Sequence, residues 1–272
     1  MITDSFSYRT IFADLDTQHH VNSNRYFDLF ESGKYLLLDK LGISKEFLFN
    51  KQLILEPCVL NFKFMKQVVD NETIDVNICL SAYKNGYFRW TADMICRGSI
   101  CFRISSINKI SPTIPEEIIA ENDSFNESIS LFELKPNSKI YSSIYQFRNI
   151  ERNYFGYIPE NMSWKLFEDT RWNHSGSLNV TLDVLKEMDI AFFWRTGEYR
   201  FGKVFKPSEK IQSNIWFEKV EDFKLTYAHE ILNTKNEIIC NSVSTFIPVS
   251  ISKKKPKRIS VDLVHRMIDY IK

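Results

Sequence analysis

Between Ala13 and Tyr26 the chain reads Ala-Asp-Leu-Asp-Thr-Gln-His-His-Val-Asn-Ser-Asn-Arg-Tyr. Asp14, Asp16, Gln18, His19 and His20 bring two carboxylates, an amide and two imidazoles into seven positions. Such groups serve as general base, nucleophile, proton donor or orienting partner in reactions at a carbonyl carbon. The cluster stands directly ahead of an apolar run, Tyr26 to Leu41, that reads as a long helix. It follows a predicted strand, Tyr8 to Phe12, so it lies on a strand-to-helix turn. A helix N-terminus offers unpaired N–H groups and a partial positive charge, both suited to a carbonyl oxygen becoming an oxyanion. Val21, Asn22 and Ser23 are the residues whose N–H groups would serve there, and Asn22 and Asn24 also suit a helix start.

The elements that must hold this cluster follow from periodicity. Tyr26, Phe27, Leu29, Phe30, Tyr35, Leu36, Leu37, Leu38 and Leu41 cover most of the helix circumference, which predicts an enclosed helix ending near Gly42. Ile74 to Ser81 alternates apolar and polar residues as a half-buried strand does. Asn85-Gly86 is a hairpin signal, and Phe88, Trp90, Ala92 and Met94 mark the partner strand. Arg97-Gly98-Ser99 turns the chain again into a strand from Ile100 to Ile107. The prediction is a strand, a buried helix and an antiparallel meander wrapped on that helix.

Bulk composition narrows the classes. In 272 residues, 44% hydrophobic content supports a packed core, and a net charge of +1 gives no overall field for nucleic acid. The five cysteines, Cys58, Cys79, Cys96, Cys101 and Cys240, are odd in number and lack CxxC spacing, which reads as free thiols in a reducing compartment. No apolar run approaches the ~18 residues of a membrane span, and the N-terminus carries no signal-peptide pattern. The expectation is a cytoplasmic protein with neither metal nor cofactor. Asp16, His19 and His20 lack a further ligand at metal-site spacing.

The second half repeats the first. Placing Phe12 on Phe167, an offset of 155, sets Asp14 on Asp169, His19 on His174, Asn24 on Asn179 and Gly42 on Gly197. The meander aligns at an offset of 137, with Phe64 on Phe201 and Asn77-Ile78 on Asn214-Ile215; a later shift to 139 sets Cys101 on Cys240 and Ser105 on Ser244. This register implies that the second copy lacks 18 residues after its helix. It also sets Asp16 against Arg171, Gln18 against Asn173 and His20 against Ser175. Chemistry is then expected in the first copy alone, with Asp14 and His19 as scaffold. The boundaries read as residues 1–118, a connector 119–160 and 161–272, the connector lying in a polar, acidic stretch that runs from Ser111, with Pro112 and Pro115, to about Asn161.

Asp14-Leu15-Asp16-Thr17-Gln18-His19-His20-Val21-Asn22, followed by Tyr26 and a long apolar helix, resembles the motif of the hotdog-fold thioesterases. With the duplication it is similar to the acyl-ACP thioesterases, which carry two hotdog repeats in one chain. The resemblance implies an α+β fold of two tandem hotdogs, each a sheet wrapped around a long helix, forming a pseudo-dimer. It sets the catalytic aspartate on Asp16, the histidine on His20 and the intervening amide on Gln18. Two features depart from it: the motif lies in the N-terminal repeat, and the strand after the helix, Leu60 to Lys66, has no carboxylate, Glu56 being the nearest acid ahead of it.

The implied activity is hydrolysis of a fatty or polyketide-type acyl thioester on an acyl carrier protein or coenzyme A. Asp16 acts as base or nucleophile and Val21 to Ser23 line the substrate site. A dehydratase or acyltransferase/decarboxylase on the same fold, and a non-catalytic acyl or carrier-protein binding module, are the alternatives. Further self-association is left open. Lys253-Lys254-Lys255-Pro256-Lys257-Arg258 forms a basic stretch suited to coenzyme A phosphates or an acidic carrier protein, and a last helix is predicted from Val261 to Ile271.

Overall fold

Alternating burial, as the meander predicts, governs the sheet of the first unit. A computed structural model describes residues 1–111, 129–267 and 270. It divides into two units, Met1–Ser130 and Leu131–Lys272. The first contains β1 (Ile2–Arg9), a 3-10 turn at Phe12–Asp14, α1 (Ser23–Lys40), α2 (Lys45–Asn50), β2 (Ile54–Phe64), β3 (Thr73–Lys84), β4 (Tyr87–Cys96) and β5 (Ser99–Ser111). Its strands lie in the antiparallel order β1-β3-β4-β5-β2. The β3–β4 hairpin turns at Asn85-Gly86, both with positive φ as a type I′ turn requires.

The first helix packs on β1, β3 and β4. It buries Tyr26, Phe27, Leu29, Phe30, Gly33, Lys34, Leu37 and Leu38 and exposes Ser32, Leu36, Asp39 and Lys40. It is therefore covered on one broad stripe and not all round; Leu36 is the apolar residue left outside. Tyr26, Phe27, Phe62, Phe64 and Phe102 interlock with ring centroids 4.5 to 6.5 Å apart, fixing the start of α1 to β2 and β5. Pairs of this kind contribute about 0.5–1.5 kcal/mol each beyond their buried area. At Gly33 an added Cβ would stand 3.0 Å from Ile78 Cδ1 and 3.3 Å from Phe6 Cε1, so helix and sheet approach closely there and a side chain would have to displace both neighbours slightly.

The second unit contains β6 (Tyr141–Gln146), a 3-10 turn at Asn149–Glu151, α3 (Met162–Ser177), α4 (Leu182–Glu187), β7 (Ala191–Phe201), β8 (Lys210–Glu221), β9 (Lys224–Asn233), β10 (Ile238–Val249) and α5 (Val261–Met267). Its strand order β6-β8-β9-β10-β7 matches the first unit element for element. The fold is α+β: two tandem hotdog repeats. The segment 119–160, read as a connector, holds β6, which pairs with β8, so from Leu131 onward the chain belongs to the second unit. Pro112, Pro115 and the acidic residues from Glu116 to Glu127 lie outside the described residues, as do Ile268 and Ile271 of the last predicted helix.

The duplication is real; the meander register read at offset 137, Phe64 on Phe201 and Asn77-Ile78 on Asn214-Ile215, holds, whereas the offsets of 155 before it and 139 after it do not. A single offset of 137 relates β1 to β6, α1 to α3, α2 to α4 and β2, β3 and β4 to β7, β8 and β9. The helix-ending left-handed residues Gly42 and Asn179 coincide, as do the N-caps Ser44 and Thr181, each accepting from the N–H three residues on. Between β5 and β10 the offset is 138. Phe102 faces Phe64 and Met94, whereas Cys240 faces Phe201 and Ile231. The pairing of Cys101 with Cys240 was thus one residue out, which would have put every side chain on the wrong face. No 18-residue deletion exists. The offset of 155 joined the turn before α1 to the interior of α3, where Asp169 and His174 lie.

Candidate active site

The turn between β1 and α1 is built by its own hydrogen bonds. Asp16 Oδ1 accepts from the N–H of Gln18 at 2.8 Å and of His20 at 3.1 Å. Asp16 N–H donates to His20 O at 2.8 Å, and Leu15 bridges Val21. His19 donates its N–H to Asp16 O at 3.0 Å and sits in the left-handed region at φ 63°. This conformation is uncommon outside glycine, although histidine is among the residues enriched in it. Asn22 caps α1, its side chain accepting from Asn24 N–H at 3.0 Å.

Asp14 anchors the turn. Its side chain is fully buried and takes the Tyr8 hydroxyl at 2.8 Å, Ile11 N–H at 2.9 Å and Arg25 Nε at 2.7 Å. Its backbone oxygen accepts from Asn22 N–H at 2.7 Å. The end of β1, the 3-10 turn and the first turn of α1 are thereby joined through one residue. Burial and the Asp14 acceptor push the Tyr8 hydroxyl up, so it stays a donor.

The second unit repeats this construction 137 residues on. Asn153 Oδ1 accepts from Phe155 N–H at 3.0 Å and Tyr157 N–H at 3.1 Å, and Asn153 N–H donates to Tyr157 O. Gly156 takes the left-handed position of His19. Glu151 stands for Asp14, accepting from the Tyr145 hydroxyl and from Arg148 N–H. The counterparts of Asp16, Gln18, His19 and His20 are therefore Asn153, Phe155, Gly156 and Tyr157, and not Arg171, Asn173, His174 and Ser175. Asp14 keeps its scaffold role through Glu151; His19 loses its supposed partner, for His174 is a buried residue of α3. Pro159 and Glu160 replace Asn22 and Ser23 ahead of α3.

This comparison separates what the turn needs from what it carries. One acceptor oxygen at the position of Asp16 suffices to close it, since an amide does so in the second unit. Asp16 Oδ2 has no hydrogen-bond partner among the described residues. The half-buried Asp16 thus carries a charge and an oxygen beyond the turn's structural requirement. Gln18 and His20 meet Asp16 through main-chain N–H groups, and the Gln18 side chain is exposed. Of the three expected oxyanion donors, Val21 N–H is bonded to Val68 O at 2.8 Å and Asn22 N–H to Asp14 O. Ser23 N–H has no acceptor among the described residues. Glu56 lies on β2 opposite Lys109, and none of the turn's hydrogen bonds reaches it.

Sequence reasoning passed over Tyr8 and Arg25. The signal was present: Tyr8 and Asp14 recur as Tyr145 and Glu151 at the same separation. Elsewhere, Lys253, Lys254 and Lys255 are exposed, whereas Lys257 donates to Met188 O at 2.6 Å and Arg258 pairs with Asp222 at 2.9 Å. All five cysteines are free thiols. Among the described residues no helix is long and apolar enough to cross a membrane, and no three His, Cys, Asp or Glu residues group as a metal site.

The comparisons with known proteins agree with the fold. A protein of Lactobacillus plantarum named for oleoyl thioesterase activity superposes with a TM-score of 0.74 at 13% identity, covering 90% of this chain and 96% of its own. The 12:0-ACP thioesterase of Umbellularia californica gives 0.69 at 10% identity over 90% and 94% of the two chains. An acyl-ACP thioesterase of Bacteroides thetaiotaomicron gives 0.65 at 9% over 90% and 97%. The chain thus has the double-hotdog fold of these thioesterases along nearly its whole length. No protein-family model matches the sequence. No curated protein matches it either.

Proposed function

We propose that the chain is a thioesterase that hydrolyses an acyl thioester carried on an acyl carrier protein or coenzyme A. One observation carries the reading: Asp16 brings a carboxylate to a turn that Asn153 closes equally well with an amide. Asp16 Oδ2 takes a proton from water as the water oxygen attacks the thioester carbon, or attacks that carbon itself. The carbonyl oxygen becomes an oxyanion beside Ser23 N–H at the positive end of α1. The C–S bond then breaks, and the proton held by Asp16, or supplied by His20 when Asp16 is itself the nucleophile, passes to the leaving thiolate. On the nucleophilic route a water then hydrolyses the acyl–Asp16 anhydride, releasing the carboxylic acid and restoring Asp16 and His20. Gln18 orients the attacking water, and Val21, Asn22 and Ser23 face the thioester. The exposed Lys253–Lys255 turn suits the phosphates of coenzyme A or an acidic carrier protein. The role is cytoplasmic, in fatty acid or polyketide biosynthesis.

The test is a panel of acyl-CoA and acyl-carrier thioesters, with free thiol measured and products identified by mass spectrometry. Stoichiometric thiol and carboxylic acid are expected. Release of carbon dioxide, or a new double bond with the thioester intact, would replace hydrolysis by another reaction. Tight binding without thiol release, unaffected by Asp16→Ala, would make the chain a binding module.

A further inference from the structure

Each central helix buries one cation at the same position, Lys34 in α1 and Arg171 in α3. What meets the cation differs. In the first unit the sheet supplies an acceptor: Asn108 Oδ1 lies 3.5 Å from Lys34 Nζ and also accepts from Ser106 Oγ at 2.9 Å. In the second unit Phe246 stands in the place of Asn108, its ring centre 5.0 Å from the guanidinium carbon. Glu168 takes Arg171 Nε at 3.2 Å and Nη2 at 2.8 Å. Nη1 has no acceptor among the described residues.

Arg171 is also part of the wall of a cavity. About 360 Å³ lies between the walls, part of it open to solvent, near the lower end for small-ligand sites (~300–1,000 Å³). The other polar residues of the wall are Ser175 and Tyr227, and burial pushes the Tyr227 hydroxyl up to about 12, so it stays a donor. At three wall positions the first unit is larger: Leu38 for Ser175, Phe88 for Leu225 and Trp90 for Tyr227, all fully buried. Phe88 and Trp90 stack there with ring centres 5.6 Å apart. Where the second unit is larger, as at Phe217 for Leu80, it adds apolar wall. The second unit thus lacks the acceptor that its cation has in the first, and has space where the first is filled.

We propose that the second unit carries a ligand site of its own, in which Arg171 Nη1 and the Ser175 and Tyr227 hydroxyls take the carboxylate of a straight-chain carboxylic acid, its chain lying against Leu185, Leu225 and Met267. A carboxylate suits the free edge of the guanidinium, because charge-assisted hydrogen bonds are about twice as strong as neutral ones. The apolar walls suit a hydrocarbon chain. His174, one residue before Ser175, is lowered to about 4 by burial and stays neutral, so it adds no charge to the site. As it stands the space has room for little more than a water, so the chain enters by displacing a wall residue. Met267 is that residue: its unbranched side chain adapts readily, and it comes from α5, which has no counterpart among the described residues of the first unit. The site does not depend on what the turn at Asp16 does; if that turn hydrolyses acyl thioesters, the acid it releases belongs to the class bound here.

The test is a titration of the full chain with octanoate, followed by NMR of its six methionine methyls and by tryptophan fluorescence. The Trp172 ring centre lies 4.5 Å from the Arg171 guanidinium carbon and reports on the head of the site. The Met267 signal, assigned by its loss in Met267→Leu, should shift saturably. Octanol, with the chain and no carboxylate, and acetate, with the carboxylate and no chain, should each bind about tenfold or more weakly. Ser175→Leu with Leu225→Phe, which installs the first unit's residues, should weaken octanoate by about tenfold or more and leave thioester hydrolysis unchanged. Met267→Ala removes the wall that must move and should tighten octanoate by about two- to tenfold, a gain that a folding defect does not produce. The inference is overturned if neither the wild type nor Met267→Ala binds octanoate saturably, or if octanol binds as tightly as octanoate. It is overturned equally if Met65 or Met94 of the first unit shifts while Met267 does not. Thiol release, present or absent, bears on the turn at Asp16 alone.

Discussion

Asp16 and Asn153 hold one position in the two units, each closing its turn through a single side-chain oxygen bonded to the N–H groups two and four residues on. The second unit thus shows what the turn looks like without a carboxylate. It keeps its shape, and it keeps the Tyr145–Glu151 anchor beneath it.

Converting the second turn to the sequence of the first should not create a second site. Asn153→Asp in an Asp16→Asn background should not restore activity, because Pro159 and Glu160 stand at the start of α3 where Asn22 caps α1 and Ser23 opens it. Proline has no N–H, and a carboxylate at Glu160 opposes an oxyanion at the helix start. Thiol release by the double variant should match that of Asp16→Asn alone; recovery towards wild type would mean that the second helix start is still competent.

Acid should destabilise the second unit. His174 and His229 are fully buried, and burial lowers them to about 4 and about 3. Both stay neutral in the folded chain while the unfolded chain takes up protons below about pH 6.5. Their contribution is therefore fully present above pH 6.5 and is lost as pH falls towards 4, by about 1.4 kcal/mol per histidine per pH unit. Urea unfolding at pH 7, 6 and 5 measures this. His229→Ala, which installs the residue found at Ala92 in the first unit, should remove about half the slope. A slope unchanged by that substitution would locate the effect elsewhere.

A chain of hydroxyls supports His229. Ser143 Oγ lies 3.2 Å from Thr170 Oγ1, which lies 2.6 Å from Ser213 Oγ, which lies 2.7 Å from His229 Nε2. These residues tie β6, α3, β8 and β9 together where the first unit uses Phe6, Gly33, Val76 and Ala92. Thr170→Val keeps the shape and breaks the chain in its middle, leaving a buried hydroxyl short of a partner. The expected cost is about 1–3 kcal/mol by denaturant unfolding; a loss below about 0.5 kcal/mol would show that the remaining groups re-pair.

Much of this was legible in the residues. The alternation from Ile74 and the Asn85-Gly86 turn announce the meander, and the apolar run after Asn22 announces α1. Strand β2 is harder to see, because Pro57 and Cys58 interrupt its pattern at a bulge. The duplication was visible, and identities gave its register in the meander at offset 137 but misplaced it at the turn and helix. Phe12 with Phe167 and Asp14 with Asp169 are coincidences of type, whereas the true equivalents are chemical substitutes. Glutamate replaces aspartate at 151, asparagine supplies the same acceptor oxygen at 153, and glycine takes the left-handed position at 156. Only hydrogen bonds reveal that these pairs do the same work. The same holds for Arg25, whose significance lies in its contact with Asp14.

The most direct measurement is the Asp16→Asn variant, assayed for thioester hydrolysis and thermal unfolding on the same preparation. The amide can close the turn as Asn153 does, so stability should change by no more than about 0.5 kcal/mol. Hydrolysis should fall by about 10²–10⁴-fold, the usual contribution of a general base, or further if Asp16 attacks the thioester itself. A folded variant that hydrolyses thioesters at near the wild-type rate would contradict the account, for the charge at Asp16 would then have no part in the chemistry.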